Sequence, residues 1–141
     1  MSEIGFVILD GTVIIDGTDL SDHVREVQVN LVAADVDATG LNGGGGSTHR
    51  QGLKNENFMV TFMSDYNPGS VDAVLFPHYD AGDEFTVQVQ PFSGAASDAN
   101  PRYEGTCILV GTYAPISGQV GALSTTQVTF PVQGRIARYT T

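Results

Sequence analysis

The chain has 141 residues, a length that fits one domain with one core. Its six Lys and Arg against sixteen Asp and Glu give a formal net charge of -10, a balance that repels phosphate backbones and argues against tight nucleic-acid binding. A single Cys rules out an internal disulfide framework and a Cys-based metal site, and the absence of Trp leaves aromatic packing to Phe and Tyr.

At the start, Met1–Gly5 lacks the basic region of a signal peptide, and Phe6–Leu9 is too short for a membrane span, so no export or membrane association is expected. Asp10-Gly11 and Asp16-Gly17 flank Thr12–Ile15 as turn signals, which predicts a small N-terminal meander. Val27, Val29 and Leu31 then alternate with Gln28 and Asn30, as in a strand with one buried face. Thr39–Gly52 has no apolar periodicity and contains the run Gly43, Gly44, Gly45 and Gly46. A connection this long is either a floppy surface insertion or an arm that orders against a neighbouring copy.

Alternation resumes with Phe58, Val60 and Phe62 against Met59, Thr61 and Met63. Val71, Val74 and Leu75 are spaced for a short helix over about residues 68–77, with Asn67-Pro68 as its start and Pro77 as its end or kink. Phe85, Val87 and Val89 alternate with Thr86, Gln88 and Gln90, and Tyr103–Tyr113 reads as a long strand bent at Gly105 and Gly111. After a loop through Pro115, Gly118 and Gly121, Val128, Phe130 and Val132 sit opposite Gln127, Thr129 and Gln133. The whole reads as a mainly β, single-domain sandwich with one short helix and a long glycine-rich loop.

Signatures of catalysis are missing: there is no Gly-x-Ser-x-Gly elbow, no His-Glu-x-x-His helix and no phosphate loop with its lysine. His23, His49 and His78 are far apart, and a metal centre from them would need the fold to converge them. Asp16, Asp19 and Asp22, or Asp35 and Asp37, supply oxygen ligands of the kind calcium takes, but neither group follows the EF-hand pattern, and turns with a solvated acidic surface explain them. Ser47 and His49 lack an evident third group to orient them. Met59 and Met63 fit the second face of a strand packed on the helix or a partner subunit, and Cys107 fits a small buried hydrophobe. The expectation is a protein that is not an enzyme, with no catalytic residue, metal or cofactor.

Five segments in order resemble the major tail (tail tube) proteins of long-tailed, non-contractile bacterial viruses of the siphovirus type. They are Gly11–Val24, Gln51–Asn55 opening a strand, Gly69–Pro77, Asn100–Gly105 and Pro115–Gly121. No one of these is diagnostic; the resemblance lies in the series, and the Gly43–Gly46 run departs from it. The resemblance implies a structural virion protein made in the host bacterial cytoplasm. It implies subunits that close into hexameric rings stacked head to tail, forming a conduit through which double-stranded DNA passes without specific binding. It also implies tape measure, tail terminator and distal tail proteins as partners. The glycine run, with His49, Arg50 and Lys54, is then a subunit-contact segment meeting acidic groups on a neighbour. Gln28, Asn30, Gln88 and Gln90 are candidates to face the lumen. A tube subunit of a contractile or secretion system would work in nearly the same way. A secreted carbohydrate-binding β-sandwich is the reading from another class, and it calls for exposed clustered aromatics.

Overall fold

The computed structural model describes residues 11–41 and 44–141. The readings of Met1–Gly5, Phe6–Leu9, Asp10 and Gly43 lie outside the described residues. In chain order the elements are β1 (Thr12–Ile15), β2 (Thr18–Asp19), a 3-10 turn (Ser21–His23), β3 (Val24–Asn30), β4 (Ala33–Asp37), β5 (His49–Lys54) and β6 (Asn57–Met63). Then come α1 (Val71–Ala81), β7 (Glu84–Gln90), β8 (Arg102–Ile108), β9 (Thr125–Pro131) and β10 (Ala137–Tyr139). They form a five-stranded sheet in the order β10-β8-β7-β1-β2, a three-stranded sheet β3-β6-β9, and a separate two-stranded sheet β4-β5. Every paired strand is antiparallel.

The two larger sheets face each other, and their alternating apolar residues meet between them. Phe58, Val60 and Phe62 of β6, with Val128 and Phe130 of β9, are fully buried against Val87 of β7 and Cys107 of β8. Phe130 stands edge-on to both Phe85 (5.7 Å) and Phe62 (6.5 Å), a geometry that aromatic quadrupoles favour. Burying each large apolar side chain here contributes about 1.5–3 kcal/mol. Where the sheets come closest, Gly105 has no side chain: a Cβ there would lie 3.1 Å from Val132 Cγ1 and 3.3 Å from Phe58 Cε2.

Turn chemistry works as expected at Asp16-Gly17. Both residues have positive φ (51° and 78°), the backbone of the tight turn that joins β1 to β2. Other expectations need correction. Leu31 is exposed, because β3 ends at Asn30 and the chain leaves the core there. The long strand read over Tyr103–Tyr113 stops at Ile108; Gly111, at φ 82°, turns the chain into an irregular segment.

The helix starts and ends later than the sequence suggested. Asn67-Pro68 lies in a turn, Gly69 (φ 79°) reverses the chain, and Ser70 occupies the cap position before Val71. Pro77 sits inside the helix rather than ending it. Ala73, whose carbonyl would have accepted the missing N–H of Pro77, is exposed, so water can satisfy it. The true stop is Gly82, left-handed at φ 67°, whose N–H donates to the carbonyl of His78 at 2.9 Å. Val71 and Leu75 bury into the sandwich, and His78 stacks on Phe85 with 4.4 Å between ring centres, so α1 plugs one end of the two sheets.

Candidate assembly surfaces

Of the segment read as a long loop, Thr39–Gly52, only residues 49–52 belong to a strand, and the loop caps a hairpin. β4 and β5 pair through Asp35↔Gln51, Val36↔Arg50 and Asp37↔His49, which shortens the irregular connection to residues 38–48. Neither strand joins a larger sheet and no residue of either is buried, because neither alternates apolar with polar; the exposed pair forms an arm. Gly44 and Gly45 turn its tip with φ of 65° and 87°, and Gly46 follows them, exposed. At Gly52 a Cβ would come within 2.8 Å of Val36 Cγ2, so glycine lets the strands close on each other. The arm and its base leave Leu31, Val32, Val36, Leu41 and Leu53 exposed, the last two almost completely.

Among the contact residues expected on the arm, His49 already has a carboxylate of its own chain: its Nδ1 lies 2.8 Å from Asp35 Oδ1. Arg50 is exposed opposite Val36, and Lys54 lies at the arm's base in a shallow recess with Gln51, Glu56 and Arg135. Glu56 is buried, and its carboxylate accepts the Ile136 N–H at 2.7 Å and faces Arg135 Nε at 3.4 Å, anchoring the base of the arm to the C-terminal segment.

At the opposite end of the three-stranded sheet lies a second apolar surface. β3 and β6 each run from the arm, at Asn30 and Asn57, to the helix end, at Val24 and Met63. Seven residues of strand cover about 20 Å. At that far end Tyr66, Phe76 and Tyr79 are about half exposed and Ile116 is 83% exposed. The rings of Phe76 and Tyr79 lie 6.4 Å apart, those of Tyr79 and Tyr113 lie 6.2 Å apart, and Tyr66 Oη donates to the carbonyl of Pro115 at 2.7 Å. Read as sequence, the tyrosines are not clustered; the fold brings residues from three distant segments together.

The four lumen candidates separate. Gln28 and Asn30 lie on the outer face of the three-stranded sheet beside Met59 and Asn57, and Asn30 Nδ2 donates to Asn57 Oδ1 at 2.8 Å. Gln88 lies on the outer face of the other sheet, and Gln90 is buried there, its amide donating to the carbonyl of Gly94 at 3.3 Å. The two pairs therefore point in opposite directions, and one lumen cannot be lined by both.

Two arrangements bear on chemistry. His23 Nε2 lies 2.8 Å from Asp65 Oδ2, and Ser70 Oγ donates to the same oxygen at 2.7 Å. The Ser70 hydroxyl, with the Asn67 N–H behind it, holds the Asp65 carboxyl below its usual range. Ser70 Oγ also lies 3.3 Å from His23 Nε2, but that nitrogen is the one the carboxylate takes, whereas a triad places its carboxylate on Nδ1; the cluster ties the 3-10 turn to the helix start. A groove of about 750 Å3 opens between β1 and β3, floored by Val27, Val29 and Val89. Among the described residues lining it there is no His or Cys, and its Ser21 hydroxyl is engaged with Asp19 and the backbone of Val13. Among the described residues no three His, Cys, Asp or Glu side chains gather as metal ligands. Burial pushes the Cys107 thiol up to about 12, which keeps it protonated and inert.

The chain is thus a two-sheet sandwich plugged by one helix, with an exposed arm at one end and an apolar surface at the other. No family model and no curated protein sequence matches the chain. Solved structures do resemble it. A chain in the virion of a native gene transfer agent particle superposes with a TM-score of 0.70 at 16% identity, over 92% of this chain and 95% of that one. A chain in the tail of an empty gene transfer agent particle gives 0.65 at 16% identity, over 83% and 82%. A chain of the sheath–tube complex of an extracellular contractile injection system in its extended state gives 0.66 at 11% identity, over 99% and 94%. The chain thus shares the fold of these tail and tube chains.

Proposed function

We propose that this protein is the structural subunit of a tail tube, that its copies close into hexameric rings, and that the rings stack head to tail into the conduit of a virion tail. The observation that carries the reading is the arm. A two-stranded ribbon with exposed Leu41 and Leu53, paired to neither larger sheet, is marginal by itself and would gain stability from another molecule. The match to a tail refined with C6 symmetry supports a six-fold ring, and the edges of β3 and β9 offer backbone groups to strands of adjacent copies.

In this reading the outer face of the three-stranded sheet lines the lumen. Its paired rows are Glu26, Thr61 and Gln127, then Gln28, Met59 and Thr129, then Asn30, Asn57 and Pro131; the cation of these three strands is Arg25, exposed at the β3 bulge next to Glu26. Such a polar wall would grip a passing duplex weakly. The outer face of the larger sheet, by contrast, carries Arg102, 3.5 Å from Glu104 and stacked over Tyr139. The chain would lie in the virion tail with tape measure, terminator and distal tail proteins as neighbours. A tube of a contractile system is a close variant of this reading, favoured by the match to the sheath–tube complex.

Exposed aromatics at the helix end would also suit a carbohydrate-binding module. Sedimentation velocity across a concentration series separates the two. A tube subunit moves from monomer to hexamer and its multiples; a carbohydrate module stays monomeric and binds a glycan array.

A further inference from the structure

Resting on the tube reading, we infer that the β4-β5 arm of one copy docks on the aromatic surface formed by Tyr66, Phe76, Tyr79 and Ile116 of the next copy along the tube. Three observations lead there. The two unpartnered apolar surfaces lie at opposite ends of the same sheet, separated along β3 and β6. A translated copy therefore brings one against the other, while a two-fold pairing would bury like against like. Contact between different surfaces propagates as a filament instead of closing.

The charges agree with the shapes. Three of the chain's six Lys and Arg, namely Arg50, Lys54 and Arg135, belong to the arm or its base. Between Lys54 and Arg102 the sequence has no Lys or Arg, while α1 and its flanks carry Asp65, Asp72 and Asp83, engaged by Ser70, Tyr113 and His78, and the exposed Asp80 and Glu84. Of the arm's own carboxylates, Asp35 is engaged by His49 and Asp37 accepts the Thr39 N–H at 2.9 Å. On the face where Val36 lies beside Arg50 and the flat Gly52, no carboxylate stands, so an aliphatic and cationic strip is free to meet aromatic rings edged with acid.

The test mixes two single variants, Val36→Cys and Tyr79→Cys, each made in the full chain with the buried Cys107 left in place. Under mild oxidation during assembly, the mixture should give disulfide-linked dimers, and neither variant alone should. A Tyr79→Cys or Val36→Cys preparation that cross-links by itself would show like-to-like contact and overturn the docking. Tubes that form from the mixture without cross-links would overturn it too, while leaving the tube reading intact. Wild-type protein that stays monomeric at every concentration would end both. As an independent readout, Phe76→Glu with an unchanged melting temperature should still form single rings and lose stacking; full-length tubes from this variant would also refute the docking.

Discussion

Gly105 is the position where one added methyl matters most. Its Cβ would press on Val132 and on the Phe58 ring, both held by the facing sheet. Gly105→Ala is expected to destabilise the fold by about 1–3 kcal/mol, read as a lower urea midpoint at unchanged slope. Cys107, two residues on, is wholly buried, so thiol reagents at pH 8 should label it only as fast as the protein unfolds. Labelling at the rate of a free thiol would contradict that packing. Asp65 links the fold to pH. Its carboxyl is held below the usual value, chiefly by the Ser70 hydroxyl, so its contribution is present above the unfolded value of 3.8 and is lost as pH falls through the lower folded one. Ser70→Ala should therefore lower stability at pH 7 and flatten the acid side of the stability profile; an unchanged slope below pH 5 would remove this role.

At the scale of elements, the body and the arm should behave differently. β6 is the central strand of its sheet and its inward side chains are fully buried, whereas β4 and β5 pair only with each other. In the free subunit the amides of β4 and β5 should exchange with deuterium far sooner than those of β6, and assembly should slow them. Equal protection of arm and core in the monomer would mean that the arm needs no partner. The same contrast explains what the sequence could reveal. Phe58–Phe62, Phe85–Val89 and Val128–Phe130 were legible because each buries one face, which writes period two into the residues. The arm strands bury neither face, so Ala33–Asp37 and His49–Lys54 carry no such signal, and the hairpin they form was not read from the sequence. Pro77 misled for a different reason: proline ends a helix only where the carbonyl it orphans cannot reach water, and Ala73 can. The aromatic surface could not be read at all, since Tyr66, Tyr79 and Tyr113 meet only after the strands between them have folded back.

For the whole molecule, the account comes down to a body that is complete in its core and incomplete at its ends. A net charge of -10 keeps free copies apart at low ionic strength, while the Arg50 face of the arm and the carboxylates at the helix end would give them one favourable approach. The mainly β fold was legible in the alternation of its strands; that arm and helix lie at opposite ends of one sheet emerged only once the strands were placed. The most direct measurement is electron microscopy of the purified protein through a concentration series. The account predicts six-fold rings that give way to hollow tubes of uniform diameter. Dispersed monomers at every concentration, or closed two-fold dimers that never lengthen, would contradict it.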